Sequence, residues 1–306
     1  MNRTRLLICL GVLTLVTAVA QGVCPTRARA QTAPGHPRIA WGSNRGTWDQ
    51  FKSAISGARA VRIYYDQPNV FPSHWPDRAG PNVWTLLSIR PTPTALFHHR
   101  LDAQLRALIA SAPPHSDLTI WHEDAVGNNP LGYPRPVRRP ATYRRMQSYM
   151  EHLVQGTHVR FGTVGCGPVN QAEKWYAPHL DWYGFDLFWN RRFDGPDGHL
   201  DKARVWARLD ANLTALRQVS GERHPMIRIG ESNAGQDFRR RAWFTDLASW
   251  FAIHDGGRPA WILTYWNAKH SGAEGGLSGP WPPSAPVVRR IRWLTEVADN
   301  QAWHRL

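Results

Sequence analysis

Three cysteines in 306 residues are too few for a disulfide framework, and two of them, Cys9 and Cys24, fall within the first 30 residues. Acidic residues are also scarce, 23 against 37 lysines and arginines, giving a formal net charge of +14. This basic balance comes without a basic low-complexity run or an RNA-binding motif. That argues against a nucleic-acid partner and for a basic surface drawn to anionic envelopes. Long apolar runs are missing too: beyond residue 20 nothing approaches the about 18 uninterrupted apolar residues of a membrane span, so no membrane span is expected. Metal motifs are lacking. "HEDAV" at 122–126 has no second histidine for H-E-x-x-H, and His98 and His99 open a helical segment with no carboxylate at ligand spacing, so they are read as facing solvent. Neither metal nor cofactor is expected.

The chain opens with what reads as a secretory signal peptide, residues 1–30. Arg3 and Arg5 precede an apolar stretch from Leu6 to Ala20, and Ala28-Arg29-Ala30 forms a small-x-small cleavage site before Gln31. Ala18-Val19-Ala20 offers a second cut. Gln21, Gly22 and Val23 make a poor lipoprotein acceptor before Cys24, so secretion to the extracellular space is expected rather than anchoring. Removal of Arg3, Arg5, Arg27 and Arg29 lowers the charge from +14 to +10 and leaves Cys166 as a lone thiol. Stability then rests on a hydrophobic core, for which residues 31–306 are long enough, and a monomer is expected.

Short β-branched or aromatic runs alternate with helical periods. Strands are expected near Arg38–Trp41, Ala60–Asp66, Thr85–Ile89, Leu118–Glu123, Val159–Val164, Trp182–Phe188, Met226–Glu231 and Trp261–Trp266. Helices are clearest in "TWDQFKSAISG", "HHRLDAQLRALIASA", "PATYRRMQSYMEHLVQG", "DKARVWARLDANLTALRQVSG", "RRRAWFTDLASWFAIHDGG" and "APVVRRIRWLTEVADN". Several end at glycine, as helix C-termini do. Regular alternation predicts an α/β fold, a (β/α)8 TIM barrel in a single domain over 31–306, with weak helical units after strands 2 and 5.

In such a barrel the chemistry sits at the C-terminal ends of the strands. Glu123 and Glu231 are expected to close strands 4 and 7 on one rim, the minimal pair for glycosidic cleavage: one carboxyl protonates the leaving oxygen, the other attacks the anomeric carbon. Ser232 competes for attention, because "GESNA" is one methyl group from the G-x-S-x-G elbow of a serine hydrolase. His254, Asp255 and His270 are its candidate partners. Against a serine esterase stand Ala234 in the last position, a seventh rather than an early central strand, and no HGGG loop. Arg62 alternates with Tyr64 and Asp66; facing inward it would hold a nucleophile's oxygen, facing outward it would only snorkel. Trp206, Trp243, Trp250 and Trp293 fit helical packing positions, whereas Trp121, Trp189 and Trp266 fit the cleft.

"TIWHED", "LDWYGFDLFWN", "PMIRIGESNAG" and "WILTYWN" together resemble strands 4, 6, 7 and 8 of glycoside hydrolase family 26, in the large clan of retaining (β/α)8 glycosidases. The resemblance implies that Glu123, after His122, is the acid/base and Glu231 the nucleophile, with the strand-6 pattern on Asp181, Trp182, Gly184 and Asp186. It implies a secreted, endo-acting β-mannanase-like or β-glucanase-like hydrolase. A polysaccharide or oligosaccharide would be held by His122, Arg62, Tyr65, Trp189, Asn190, Trp266 and Asn267. One departure stands out: the family's strand-6 tyrosine beside the nucleophile is Phe188 here, so Arg62 or Tyr65 would have to supply the missing donor. A catalytically silent barrel that only binds polysaccharide is the alternative this departure favours.

Overall fold

The computed structural model describes residues 39–44, 48–55, 57–76, 80, 83–121, 139–166, 169, 171–188, 193–233, 237–254, 260–264, 286 and 288–292. Eight strands form one closed parallel barrel in chain order. They are β1 (Ile39–Asn44), β2 (Ala60–Tyr64), β3 (Trp84–Ile89), β4 (Ser116–Ile120), β5 (Arg160–Cys166), β6 (Trp182–Phe188), β7 (Ile227–Asn233) and β8 (Ala260–Thr264). β8 returns to β1 with Ile39 opposite Ala260 and Ser43 opposite Thr264, which closes the ring. The helices are α1 (Trp48–Ala54), α2 (Pro93–Phe97), α3 (Asp102–Ala110), α4 (Pro140–Val154), α5 (Ala172–Trp175), α6 (Lys202–Ser220) and α7 (Asp237–His254), and residues 286 and 288–292 are also helical. The (β/α)8 barrel expected from the alternation is what the chain builds. Among the described residues, no helix is long and apolar enough to cross a membrane.

The strands are covered on both faces: β3 and β4 are buried at every residue, their polar side chains included. The period of two then splits the side chains into two cores. Ala40, Ala60, Trp84, Leu86, Val164 and Trp182 fill the barrel interior. Val61, Ile63, Leu87, Ile89, Phe161 and Ile229 point the other way and join the helices in the larger outer core. Gly162 makes room for the interior indole: a Cβ there would fall 2.1 Å from the Trp182 ring. Helix ends follow their local chemistry. Asp201 caps α6 by accepting from the backbone N–H groups of Ala203 and Arg204, and Gly221, at φ 69°, ends it.

Charge seals the N-terminal end of the interior. Asp117 near the start of β4 accepts from Arg160 Nε at 2.7 Å and from Arg228 Nε at 3.2 Å. The Trp84 ring lies 4.4 Å from the Arg160 guanidinium and 5.4 Å from that of Arg228. Burial pushes the pKa of Arg228 down, Asp117 opposes this, and Arg160 adds to it.

Two expectations need correction. Strand 4 does not run to Glu123; it ends at Ile120, because Trp121 takes a φ of 43° and cannot continue an extended strand. The helix expected from His98 starts four residues later, as α3, and a short helix that was not expected, α2, precedes it. Thr92 caps α2, with Pro93 in its first turn, and His99, at φ 57°, breaks the chain before α3 begins at Asp102. His99 also has the carboxylate denied to it above: its Nδ1 lies 3.2 Å from Asp102 Oδ2 and 2.9 Å from the Tyr149 hydroxyl. The weak units are weak as expected, with α5 a single turn.

Candidate active site

Strands 2, 3, 6 and 7 converge inside the C-terminal half of the barrel on one guanidinium. Arg62 is wholly buried and faces inward. Its Nε donates to Ser88 Oγ at 3.1 Å, its Nη1 lies 3.5 Å from Asp186 Oδ1, and the Tyr64 ring sits 4.7 Å from its carbon centre. An arginine removed from water needs an anion and several acceptors, and β2 supplies the cation while β6 supplies the anion. Asp186 is itself wholly buried.

The pair lies directly against strand 7. A Cβ at Gly230 would stand 2.5 Å from Asp186 Oδ1 and 2.7 Å from Arg62 Nη1, so only glycine fits. The backbone of Glu231 follows at once. Here β7 carries a bulge: Phe185 faces Ile229 and Leu187 faces Ser232, so the single residue Asp186 opposes both Gly230 and Glu231. The same shift recurs against β8, where Ile229 pairs Ile262 and Ser232 pairs Thr264. Bulges insert one residue and reset the alternation of faces, and they gather beside functional sites.

That reset decides the fate of Ser232. It is fully buried on the helix side of the strand, donating to Leu187 O at 2.8 Å and accepting from the Trp243 indole of α7 at 2.8 Å. His254 ends the same 18-residue helix, roughly 25 Å from its start, with Nδ1 2.9 Å from Trp250 O. The serine reading loses its nucleophile to a packing role.

The strand-6 pattern has a physical reason at each position. Asp181 accepts from Phe161 N at 2.9 Å and ties β6 to β5. Trp182 fills the interior, Gly184 sits tightly against the backbone of Arg228, and Asp186 meets Arg62. Phe188, at the end of β6, is half-buried and registers opposite Asn233.

Tyr64, not Tyr65, is the tyrosine brought to Arg62. Tyr65 packs on the outer core, its N–H bonded to Ser88 O at 2.9 Å, and burial raises its pKa. On the neighbouring rim Arg90 binds Asp66 through Nη1 to its carbonyl at 3.1 Å and Nη2 to its carboxylate at 3.3 Å. Sequence alone does not mark Ser88 and Asp186 as the acceptors of Arg62, or Tyr64 as its ring partner. A polar Ser88 at the end of the Trp84-Leu86-Ser88 alternation was the available signal. His122, Glu123, Trp189, Asn190, Trp266 and Asn267, along with Asp255 and His270, lie outside the described residues.

A closed (β/α)8 barrel with a fixed guanidinium at its C-terminal end is the class defined so far. No protein-family model matches the chain, and no curated protein matches it. Solved structures do. The fold is similar to that of the GH5-4 broad specificity endoglucanase from Ruminococcus champanellensis with bound cellotriose, at 12% identity and a TM-score of 0.52 over 80% of this chain and 84% of that one. It is similar to a modular endo-β-1,4-mannanase of glycoside hydrolase family 26 from Cellulomonas fimi, at 14% identity and a TM-score of 0.51 over 84% and 70%. An endo-β-1,4-mannanase from Thermotoga petrophila aligns at 9% identity and 0.51 over 89% and 79%. Such identities establish a shared fold, one that these glycoside hydrolases use.

Proposed function

We propose that the chain is a secreted, retaining, endo-acting glycoside hydrolase of family 26 type on a β-linked polysaccharide, mannan-like or glucan-like. The observation that carries the reading is the Arg62–Asp186 pair pressed against Gly230 at the strand-7 bulge. A guanidinium held there by Ser88 and Tyr64 is pre-organised to orient a carboxylate on the next residue, Glu231.

In this reading Glu123 gives its proton to the glycosidic oxygen as the Glu231 carboxylate bonds to the anomeric carbon and the aglycone leaves. Glu123 then takes a proton from water, the water oxygen displaces Glu231 from the same carbon, and the sugar departs with its original configuration. With Tyr65 on the outer core, Arg62 and the Tyr64 beside it supply the donor that Phe188 lacks. His122, Trp189, Asn190, Trp266 and Asn267 line the sugar subsites, and residues 1–30 direct export.

Reducing-sugar release from mannan, β-glucan, xylan and peptidoglycan, measured beside binding to the same panel, tests the proposal. Release is expected from at least one polymer, abolished by Glu231→Ala and kept by Ser232→Ala. Binding without release from any polymer points to the silent barrel that Phe188 would favour.

A further inference from the structure

Strand β4 stops just before the residues that carry the acid/base role in the reading above, and it stops in an unusual way. Trp121 adopts a left-handed backbone, φ 43°, that bulky aromatic residues seldom take. Its ring is wholly buried, its indole N–H donates to Pro91 O, and the Arg90 guanidinium stands 5.8 Å from the ring centroid. With the side chain pinned, the turn cannot relax by swinging outward.

Helix α4 supports the turn from behind. Tyr143 is fully buried, and its hydroxyl lies 2.9 Å from Ile120 O and 3.3 Å from Trp121 O. The Thr163 hydroxyl of β5 is 3.2 Å from it. One turn along α4, Gln147 donates to Thr163 Oγ1 at 3.3 Å and to Trp175 O at 3.3 Å, and its carbonyl accepts from Ala177 N at 2.6 Å. The β4–β5 register runs only to Thr119 opposite Gly162, so the carbonyls of Ile120 and Trp121 lie past it. Buried carbonyls must be met by a donor, and the phenol is that donor.

We propose that Tyr143, backed by Thr163 and Gln147, is a positioning residue for the strand-4 carboxylate. It locks the left-handed Trp121 step from which the chain continues into His122 and Glu123. The inference rests on Glu123 being the acid/base. A residue that acts through the general acid matters when the leaving group needs a proton, and matters little when it departs as a stable anion.

The test compares Tyr143→Phe, Thr163→Val, Glu123→Gln and, as a control, Tyr149→Phe. Tyr149 is on the same helix, but its hydroxyl serves Asp102 and His99. Each protein is assayed on the polysaccharide and on a 2,4-dinitrophenyl glycoside, and amide hydrogen exchange is followed across the chain. Tyr143→Phe should lose about 10- to 100-fold in kcat/KM on the polysaccharide and stay within about twofold of the parent in kcat/KM on the dinitrophenyl substrate, because that parameter covers only the steps up to aglycone departure and leaves out the later attack of water that Glu123 assists as a base. Thr163→Val should show the same split in smaller measure, and Tyr149→Phe none. Exchange should quicken in Tyr143→Phe over Thr119–Glu123 alone. Equal losses on both substrates, no loss, or unchanged exchange there would overturn the proposal, in an active enzyme or an inactive one. Wild-type turnover of the polysaccharide by Glu123→Gln would instead overturn the acid/base reading itself, and the proposal with it.

Discussion

The barrel holds two arginine–aspartate clusters, one towards each end, and they are built differently. The lower one, near the strand starts, sets Arg160 and Arg228 against Asp117 with an indole beside both cations. The upper one sets Arg62 against Asp186, adds Ser88 and Tyr64, and leans on the backbone before Glu231. Strand 7 serves both, with Arg228 below and Gly230 above. The lower cluster closes the interior, while the upper one, in the proposed reading, orients the strand-7 carboxylate. This division matches the general habit of (β/α)8 barrels, in which the N-terminal face stabilises and the C-terminal face reacts.

Removing the shared anion of the lower cluster should have the largest effect. Asp117→Asn strands the wholly buried Arg228 and takes a partner from the part-buried Arg160, which costs about 3–5 kcal/mol and should lower Tm by about 10 °C in a domain of this size. Activity per folded molecule at 25 °C should be unchanged. A loss of kcat with Tm intact would erase the distinction between the clusters. In the upper cluster the opposite pattern is expected. Arg62→Lys keeps the charge and loses the fork, so kcat should fall about 100-fold while thermal melting moves little.

Phe188 sharpens the upper half of the comparison. Phe188→Tyr adds a hydroxyl at the end of β6, and a hydrogen bond to an ionised carboxylate favours that form. The acidic limb of kcat/KM should therefore move to lower pH, whereas Tyr64→Phe should move it to higher pH. Identical limbs would remove both rings from the mechanism.

A carboxylate outside both clusters gives the smallest effect. Asp246 on α7 is half-buried, and burial raises its pKa to about 6, with Lys202 opposing. The folded chain thus holds this proton more tightly than the unfolded one. Stability attributable to the protonated form is present below pH about 4 and is lost as pH rises through about 6. Asp246→Asn should raise Tm by a few degrees at pH 7 and leave it unchanged near pH 3.5; equal shifts at both would contradict the sign.

The strands were legible because β-branched or aromatic residues recur in every one of them, and Gly221 and Asp201 mark a helix as they do in any protein. Local exceptions to the period were not legible. Alternation along "VRIYY" gives two parities, and it takes the partners Ser88 on β3 and Asp186 on β6 to put Arg62 and Tyr64 on the inward face. The bulge at Gly230 and Glu231 is a register event between strands 6, 7 and 8, which no single segment encodes. It turns Ser232 to the helices, and so weighs against the serine reading that the motif alone left open. Trp121 defeated the strand-4 boundary for a similar reason: its left-handed backbone is held by Tyr143 and Pro91, residues 22 and 30 positions away.

The central claim is that Glu231, beside the Arg62–Asp186 pair, forms a covalent bond to the sugar. Proton NMR of the first product released from a polymer in the panel tests it most directly, because the anomeric signal is read before mutarotation. Retention of the β configuration is the predicted result, as two displacements by carboxyls about 5 to 5.5 Å apart require. An α product would mean that water attacks directly and that Glu231 is not the nucleophile.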